Sequence, residues 1–160
     1  MYDFKIEAAD KATLYRDLAQ ALQALIAGEA DDIANMANAA SLIFESLPDL
    51  NWAGFYRNVG GELVLGPFQG RPACIRIPFG QGVCGVAAET GEVQRVDDVH
   101  AFPGHIACDS ASSSEIVLPL VGAGGQLLGV LDLDSPRSAR FDEEDEAGLR
   151  AIAEILARAL

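Results

Sequence analysis

Residues 116–133, with the sequence IVLPLVGAGGQLLGVLDL, decide the fold. Two apolar runs, 116–121 and 127–133, flank a five-residue segment that contains three glycines. Apolar runs joined by a short glycine-rich segment predict an antiparallel β-hairpin. Pro119, the glycines and Asp132 interrupt the stretch too often for it to be a membrane span. The sequence therefore predicts a sheet built around this hairpin.

Helices are predicted on either side of the sheet. Apolar residues recur at helical spacing over residues 11–27, about 31–47 and from Asp142, a residue suited to cap a helix, to the end of the chain. Between them, strands are predicted over 51–59, 63–65, 73–78 and 92–96, with a short helix over 83–90 that ends at Gly91. We therefore expect an α/β (α+β) fold, a mostly antiparallel sheet flanked by N- and C-terminal helices, as a single domain over residues 1–160.

The composition excludes several classes of partner. The 160 residues include 24 acids and 11 bases, a net charge of −13. Nucleic acids and anionic membranes bind clustered Lys and Arg, so neither is expected. Residues 1–7 lack the apolar region of a signal peptide, which predicts a cytoplasmic protein. Three cysteines are an odd number for a structural disulfide framework, and the plainest alternative is three inert buried thiols.

The loop 97–114 carries the first candidate for chemistry. It is too long for a simple connection, and it places His105 three residues before Cys108. A nearby histidine lowers the pKa of a thiol, and the thiolate is the reactive form. Asp109 acts in the opposite direction, since a neighbouring negative charge disfavours the thiolate. A reactive cysteine and an inert loop cysteine are both open on these residues alone.

Three acids at the base of the hairpin form a second candidate. Asp132 and Asp134 are two residues apart on one strand and face the same side, and Glu115 begins the paired strand. Three neighbouring carboxylates repel, so we expect one of them to keep its proton at neutral pH. Such a cluster suits binding of an ammonium group or protonation of an oxygen. A solvated strand end and a hard-cation site are the alternatives.

Aromatic residues and the other two cysteines complete the candidates. Trp52 and Tyr56 face the same side of a strand, where they suit a pocket for a small apolar group such as a thioether methyl or, alternatively, an ordinary core. Cys84 lies near a predicted helix start, where backbone N–H groups favour a thiolate. Cys74 lies in the predicted strand 73–78. Zinc is disfavoured because no Cys-x-x-Cys or His-x-x-x-His spacing is present.

Seven blocks of the sequence together resemble one enzyme family. They are NWAGFY (51–56), LGPFQG (65–70), CIRIP (74–78), GVCG (82–85), DVHAFPGHIACD (98–109), SEIV (114–117) and LGVLDLDSP (128–136). The blocks resemble those of the free methionine-(R)-sulfoxide reductases, GAF-domain enzymes that act on the free amino acid. The resemblance extends over about residues 10–158. It implies a GAF-type fold and reduction of free L-methionine-(R)-sulfoxide to L-methionine.

The resemblance also implies roles for the cysteines. Cys108 is the expected nucleophile, which becomes a sulfenic acid as methionine leaves. Cys74 is the expected resolving cysteine, which forms an intramolecular disulfide, and Cys84 is the third family cysteine able to take part. Thioredoxin, supplied by NADPH and thioredoxin reductase, is the expected external reductant, with no bound cofactor and no metal.

The remaining expectations concern substrate and assembly. By the same resemblance, Glu115, Asp132 and Asp134 hold the amino group and supply the proton, and Trp52 and Tyr56 enclose the methyl end. The preference for the R epimer rests on the resemblance alone. GAF domains often pair through terminal helices, so a homodimer and a monomer are both open. The rival functions are a non-catalytic GAF module that binds a ligand and a redox sensor whose cysteines form a disulfide without turnover.

Overall fold

The computed structural model describes residues 6–106 and 108–160. The expectation about a signal peptide depends on residues 1–7, of which 1–5 lie outside the described residues. Ala107, which belongs to the loop 97–114 (the cysteine loop), also lies outside them. The helices are α1 (Lys11–Ile26), α2 (Asp32–Ser46), α3 (Gly82–Thr90) and α4 (Glu143–Ala159). The strands are β1 (Trp52–Val59), β2 (Glu62–Gly70), β3 (Arg76–Pro78), β4 (Gln94–Val96), β5 (Ser114–Val121) and β6 (Leu127–Ser135). Within this part of the chain no helix is long and apolar enough to cross a membrane.

The strands form one sheet in the order β3-β2-β1-β6-β5-β4. Every pairing is antiparallel. The predicted hairpin is β5 and β6, whose register places Ile116 opposite Leu133 and Leu118 opposite Leu131. The predicted α+β class, an antiparallel sheet flanked by helices, is confirmed.

The two faces of the sheet have separate cores because side chains alternate along each strand. Helices α1, α2 and α4 cover one face, where Phe55, Ile116 and Leu131 are fully buried among their apolar stripes. Helix α3 and the long loops cover the other face, where Trp52 and Val117 are buried. The candidate functional residues of the strands lie on this second face.

Aspartates begin three of the helices. Asp10, Asp31 and Asp142 each accept a hydrogen bond from a backbone N–H of the following first turn. Asp142 also forms a reciprocal capping box with Asp145, as its position in the sequence suggested. Asp145 is buried. Its carboxylate accepts hydrogen bonds from Lys11 and Tyr15 of α1 and from Arg140, which lies shortly before α4. This cluster fixes the terminal helices against each other.

The strand predicted over 73–78 is wrong in its first half, since β3 begins only at Arg76. Cys74 instead lies in the connection between β2 and β3, where its carbonyl accepts a hydrogen bond of 3.1 Å from the Tyr56 hydroxyl. Its sulfur is bonded to Cys108. Both contacts hold Cys74 away from the edge of the sheet and toward the second face.

Candidate active site

A cavity of about 490 Å³, open to solvent, lies between the second face of the sheet and the long loops. Most of its lining comes from α3, the cysteine loop and the ends of β5 and β6. The lining residues are Trp52, Tyr56, Ala73, Ile77, Gln81, Gly82, Val83, Cys84, His105, Ile106, Cys108, Asp109, Ser112, Glu115, Asp132 and Asp134. Seven of the eight residues expected to form the site therefore meet in one cavity.

The eighth expected residue, Cys74, is joined to the cavity by a disulfide bond with Cys108. The two residues are 34 positions apart in the chain, and their Cα atoms lie 5.3 Å apart. The bond connects the cysteine loop to the β2–β3 connection across the cavity edge. The disulfide pairing implied by the family resemblance is confirmed.

The cysteine loop is anchored to the start of β1 by Asn51. The Asn51 Nδ2 group donates to Asp109 Oδ2 at 3.1 Å and to Ser112 Oγ at 3.0 Å. Asp109 also accepts a bond of 2.9 Å from the backbone N–H of Ala111. These bonds fix the chain immediately after Cys108, which explains how a long loop holds a cysteine at a defined place.

His105 lines the same cavity, and its ring lies 6.3 Å from that of His100, edge to face. Burial lowers the pKa of His105, and the neighbouring His100 lowers it further. His105 is therefore held in its neutral form. Because Cys108 is in a disulfide here, the expected effect of His105 on the Cys108 thiol stays a prediction.

Glu115, Asp132 and Asp134 lie close together, as the pairing register of strands β5 and β6 requires. Glu115 lies opposite Asp134, and Asp132 lies opposite Val117 on the same face. Glu115 is 7 % exposed and Asp132 is 5 % exposed. The expectation that Glu115 lies near both aspartates is confirmed.

Burial is the main influence on the protonation of these acids. It raises the pKa of Glu115 and of Asp134 well above the ordinary range, and negative neighbours raise both further. Burial also raises the pKa of Asp132 to about 7, an increase limited by the nearby Cys84 thiol and Glu115 carboxyl. These directions favour a protonated carboxyl at neutral pH, in line with the expectation that one of the three acids keeps its proton. Among the described residues, no group donates a hydrogen bond to the buried Asp132 Oδ1.

Cys84 differs from its prediction. It is the third residue of α3 and completely buried, with its Sγ 3.8 Å from Glu115 Oε1. Burial raises the pKa of this thiol well above its usual value, and the neighbouring Asp132 and Glu115 raise it further. The thiolate expected from the helix start is therefore wrong, because burial and adjacent carboxylates outweigh the N-terminal N–H groups. Cys84 is the one free cysteine of the chain.

The aromatic residues share one face, as predicted from their spacing. The Trp52 and Tyr56 rings are stacked with centroids 5.9 Å apart, and Phe68 also stacks with Trp52, at 5.2 Å. The Trp52 indole donates to the carbonyl of Arg71 at 3.1 Å, so its orientation is fixed. Burial raises the pKa of Tyr56, and the charge of Asp132 raises it further, which keeps the hydroxyl protonated.

Gly54 makes this stack possible. A Cβ atom at Gly54 would lie 2.3 Å from Phe68 Cβ and 2.8 Å from the indole ring of Trp52. Any larger residue would therefore displace an aromatic wall of the cavity.

Sequence reasoning missed several lining residues, notably Gln81, Val83, Ile106 and Ser112. A steric signal for this wall lies in the Gly80-Gln81-Gly82 turn: Gly82 has a φ of +63°, and a Cβ atom there would lie 3.2 Å from Ile106. The turn and the cysteine loop therefore approach closely and form one wall together.

Comparison with known proteins identifies a family model and several proteins that are similar to this chain. The family model described as GAF domain matches residues 16–160. The free methionine-R-sulfoxide reductase of Escherichia coli is 54% identical over 151 residues, which cover 94% of this chain and 91% of that protein. The free methionine-R-sulfoxide reductase of Saccharomyces cerevisiae is 44% identical over 154 residues, 92% of this chain and 86% of that protein.

A solved structure of a similar protein has the same fold. The free methionine-R-sulfoxide reductase of Neisseria meningitidis, in complex with its substrate, superposes with a TM-score of 0.94. It is 46% identical, and the match covers 99% of this chain and 95% of that chain. The likeness therefore extends over the sheet, the helices and the loops around the cavity.

Proposed function

The chain belongs to the GAF-domain family of free methionine-R-sulfoxide reductases, and from this premise we propose that it reduces free L-methionine-(R)-sulfoxide to L-methionine. One observation carries the proposal: a disulfide between Cys74 and Cys108 lies at a cavity that also contains three carboxyls, two of them buried. A thiol pair supplies two electrons, and a protonated carboxyl supplies a proton. Reduction of a sulfoxide needs both.

In the first step, the Cys108 thiolate attacks the sulfur of the sulfoxide. As the S–S contact becomes a bond, a protonated carboxyl of the Glu115, Asp132 and Asp134 cluster gives its proton to the sulfoxide oxygen. The S–S bond and the S–O bond of the substrate then break as the hydroxyl forms a bond to the Cys108 sulfur, so that Cys108 becomes a sulfenic acid and methionine leaves with its sulfur reduced by two electrons. We favour Glu115 as the donor, because its side chain is buried and burial raises its pKa well above the ordinary range.

In the second step, the Cys74 thiol attacks the Cys108 sulfenic acid. The S–O bond breaks, the oxygen leaves as water, and the Cys74–Cys108 disulfide forms. The disulfide in the structure corresponds to the enzyme at this stage of the cycle. We assign Cys84 no required role in resolution, since its thiol is completely buried and held protonated.

The amino acid is proposed to bind with its two ends in different parts of the cavity. Its ammonium group lies against the carboxyl cluster, where Asp132 Oδ1 has no other partner. Its methyl end contacts the stacked rings of Trp52 and Tyr56, because sulfur and methyl groups pack favourably on aromatic faces. This arrangement fits a free amino acid, whose ammonium group is absent from a residue inside a polypeptide.

The proposal also includes how the disulfide is reduced after each turnover, where in the cell the protein acts and how the chain is organised. A dithiol reductant, thioredoxin with NADPH and thioredoxin reductase, would reduce the disulfide and restore both thiols. A cytoplasmic location suits this chemistry, because that compartment keeps thiols reduced. We also propose that residues 1–160 act as a single domain, an assignment supported by the one continuous sheet and the family match over 16–160. The choice between monomer and homodimer stays a prediction for solution measurements.

The cysteine assignments are tested by a single turnover without external reductant. Reduced wild-type protein should release one methionine per chain and form the disulfide. Cys74→Ser should release the same one equivalent and stop as a sulfenic acid, detectable by a dimedone adduct in mass spectrometry. Cys108→Ser should release none.

Cys84→Ser is the matched control, because it removes a cysteine that neither step uses. It should release one equivalent and form the Cys74–Cys108 disulfide. If Cys108→Ser released methionine while Cys74→Ser did not, the roles of nucleophile and resolving cysteine would be reversed.

A further inference from the structure

Three side chains that line the cavity lie close enough together to coordinate one metal ion. A ligand atom of Cys84 on α3, one of Glu115 on β5 and one of Asp132 on β6 all lie within 4.8 Å of one another. The thiol and the Glu115 carboxyl are 3.8 Å apart. All three residues are buried, at 4 %, 7 % and 5 % exposure. The fold thus assembles a sulfur and two oxygens from positions that are far apart in the sequence.

An independent feature shows that this cluster lacks a positive partner. Within the part of the chain that the structure describes, no group donates a hydrogen bond to the buried Asp132 Oδ1. Buried polar atoms are nearly always paired, so an orphaned carboxylate oxygen that faces a cavity points to a bound group. A cation suits this position, because Cys84 and Glu115 each place a further potential ligand atom within 4.8 Å of an Asp132 carboxyl oxygen.

The donor set selects the class of cation. One thiolate with two carboxylate oxygens suits zinc and similar borderline-soft ions, whereas calcium and magnesium prefer oxygen alone. Zinc binds sulfur at about 2.3 Å and carboxylate oxygen at about 2.0–2.2 Å, so its ligand atoms lie roughly 3–4.5 Å apart. The observed spacing requires only a small adjustment.

We propose that Cys84, Glu115 and Asp132 form a binding site for a zinc-class divalent cation, with water as the fourth ligand. Binding breaks the S–H bond of Cys84, forms a metal–sulfur bond and releases the proton to solvent. If the proposed function is correct, the ion takes the place of the substrate ammonium group, a consequence that rests on that function. Zinc and free methionine then exclude each other.

Cobalt(II) is the probe for the site, because thiolate bound to cobalt gives a charge-transfer absorption in the near ultraviolet. The oxidised protein is the right sample, since its Cys74–Cys108 disulfide leaves Cys84 as the free thiol. Titration with cobalt should produce this absorption at one ion per chain. Cys84→Ser should abolish the absorption, and Glu115→Gln should weaken cobalt binding at least tenfold.

Circular dichroism of each variant confirms that it is folded before the comparison is made. A charge-transfer absorption that persists in Cys84→Ser would overturn the site, as would its absence from folded wild-type protein. Added methionine should displace cobalt and bleach the absorption, and failure to do so would overturn the shared position. The cobalt measurement needs no turnover, so its outcome is independent of whether the chain reduces sulfoxide.

Discussion

At the scale of single residues, the buried oxygen Asp132 Oδ1 is central to how the cavity recognises an amino acid. No group among residues 6–106 and 108–160 donates a hydrogen bond to it, so a substrate ammonium group would complete its hydrogen bonding. A hydrogen bond to a charged group contributes about 1.5–3 kcal/mol. Recognition of the free amino acid should therefore depend strongly on this one carboxylate.

Asp132→Asn tests this dependence, because it keeps the shape of the side chain and removes the charge. We expect the KM for methionine-(R)-sulfoxide to rise about 10- to 100-fold, as the loss of a charged hydrogen bond requires. Steady-state kinetics measure the change. The control is Asp32→Asn, which removes an exposed acid on α2, a helix of the opposite face. An unchanged KM in Asp132→Asn would contradict the binding role.

Gly54→Ala tests the packing of the aromatic wall. The added methyl group would overlap Phe68 and Trp52, so we expect a loss of about 1–3 kcal/mol in the free energy of unfolding, measured by urea denaturation. Gly124→Ala is the control, because its Cβ atom would meet only the flexible end of Gln126. Equal stability of the two variants would show that the wall adapts to the extra atom.

The sequence was informative about residues whose positions follow from strand periodicity. Trp52 and Tyr56 were placed on one face by their spacing of four, and Glu115 was placed beside the aspartates by the hairpin register. Cys84 was mispredicted, because its environment depends on residues 31 and 48 positions later in the chain. Burial and charge at such a site depend on tertiary packing, which local patterns do not contain.

At the scale of elements, helices and the central hairpin were predictable, whereas the short edge strand was not. Helix α1 and helix α4 have long apolar stripes and clear caps, so their limits agree with the prediction within about two residues. Strand β3 has only three residues, and a disulfide and a hydrogen bond from Tyr56 hold the chain before it out of the sheet. The spacing of apolar residues along the sequence gives no information about the disulfide or this hydrogen bond.

The start of α4 provides an element-scale prediction about pH. A hydrogen bond of 2.6 Å from the Lys11 ammonium, followed by one from the backbone N–H of Asp145, holds the pKa of Asp142 below its usual range. A carboxyl with a lowered pKa stabilises the fold above its ordinary pKa of about 3.9, and that stabilisation is lost as the pH falls. Below about pH 4, Asp142→Asn should therefore lose stability less steeply than wild type.

Urea midpoints measured from neutral to acidic pH give the comparison. Asparagine still caps the helix, so the variant isolates the charge. Lys11→Gln, which removes the partner of Asp142, should flatten the same acidic part of the curve. Acid curves of equal steepness in wild type and both variants would show that this ion pair does not contribute.

At the scale of the whole molecule, the Cys74–Cys108 disulfide connects the chemical cycle to the stability of the fold. It closes a loop between residues 34 positions apart and joins the two segments that bound the cavity. A cross-link across a loop of this length stabilises a protein by about 4 kcal/mol in the chain-entropy description. The oxidised enzyme should thus be the more stable state in the cycle.

Urea unfolding of the oxidised and reduced protein measures this difference. We expect the free energy of unfolding to fall by about 4 kcal/mol on reduction. Cys84→Ser should retain the difference, because it keeps both disulfide partners, and Cys74→Ser should lose it. Equal stability of the oxidised and reduced protein would contradict the cross-linking effect.

The central claim is catalysis of sulfoxide reduction, and the most direct test is turnover with separate epimers. Free methionine-(R)-sulfoxide and methionine-(S)-sulfoxide are each supplied with thioredoxin, thioredoxin reductase and NADPH, and methionine release is followed over time. We predict sustained release, many equivalents per chain, from the R epimer alone. No release from either epimer by folded, reduced protein would contradict the account and favour a ligand-binding module or a redox sensor.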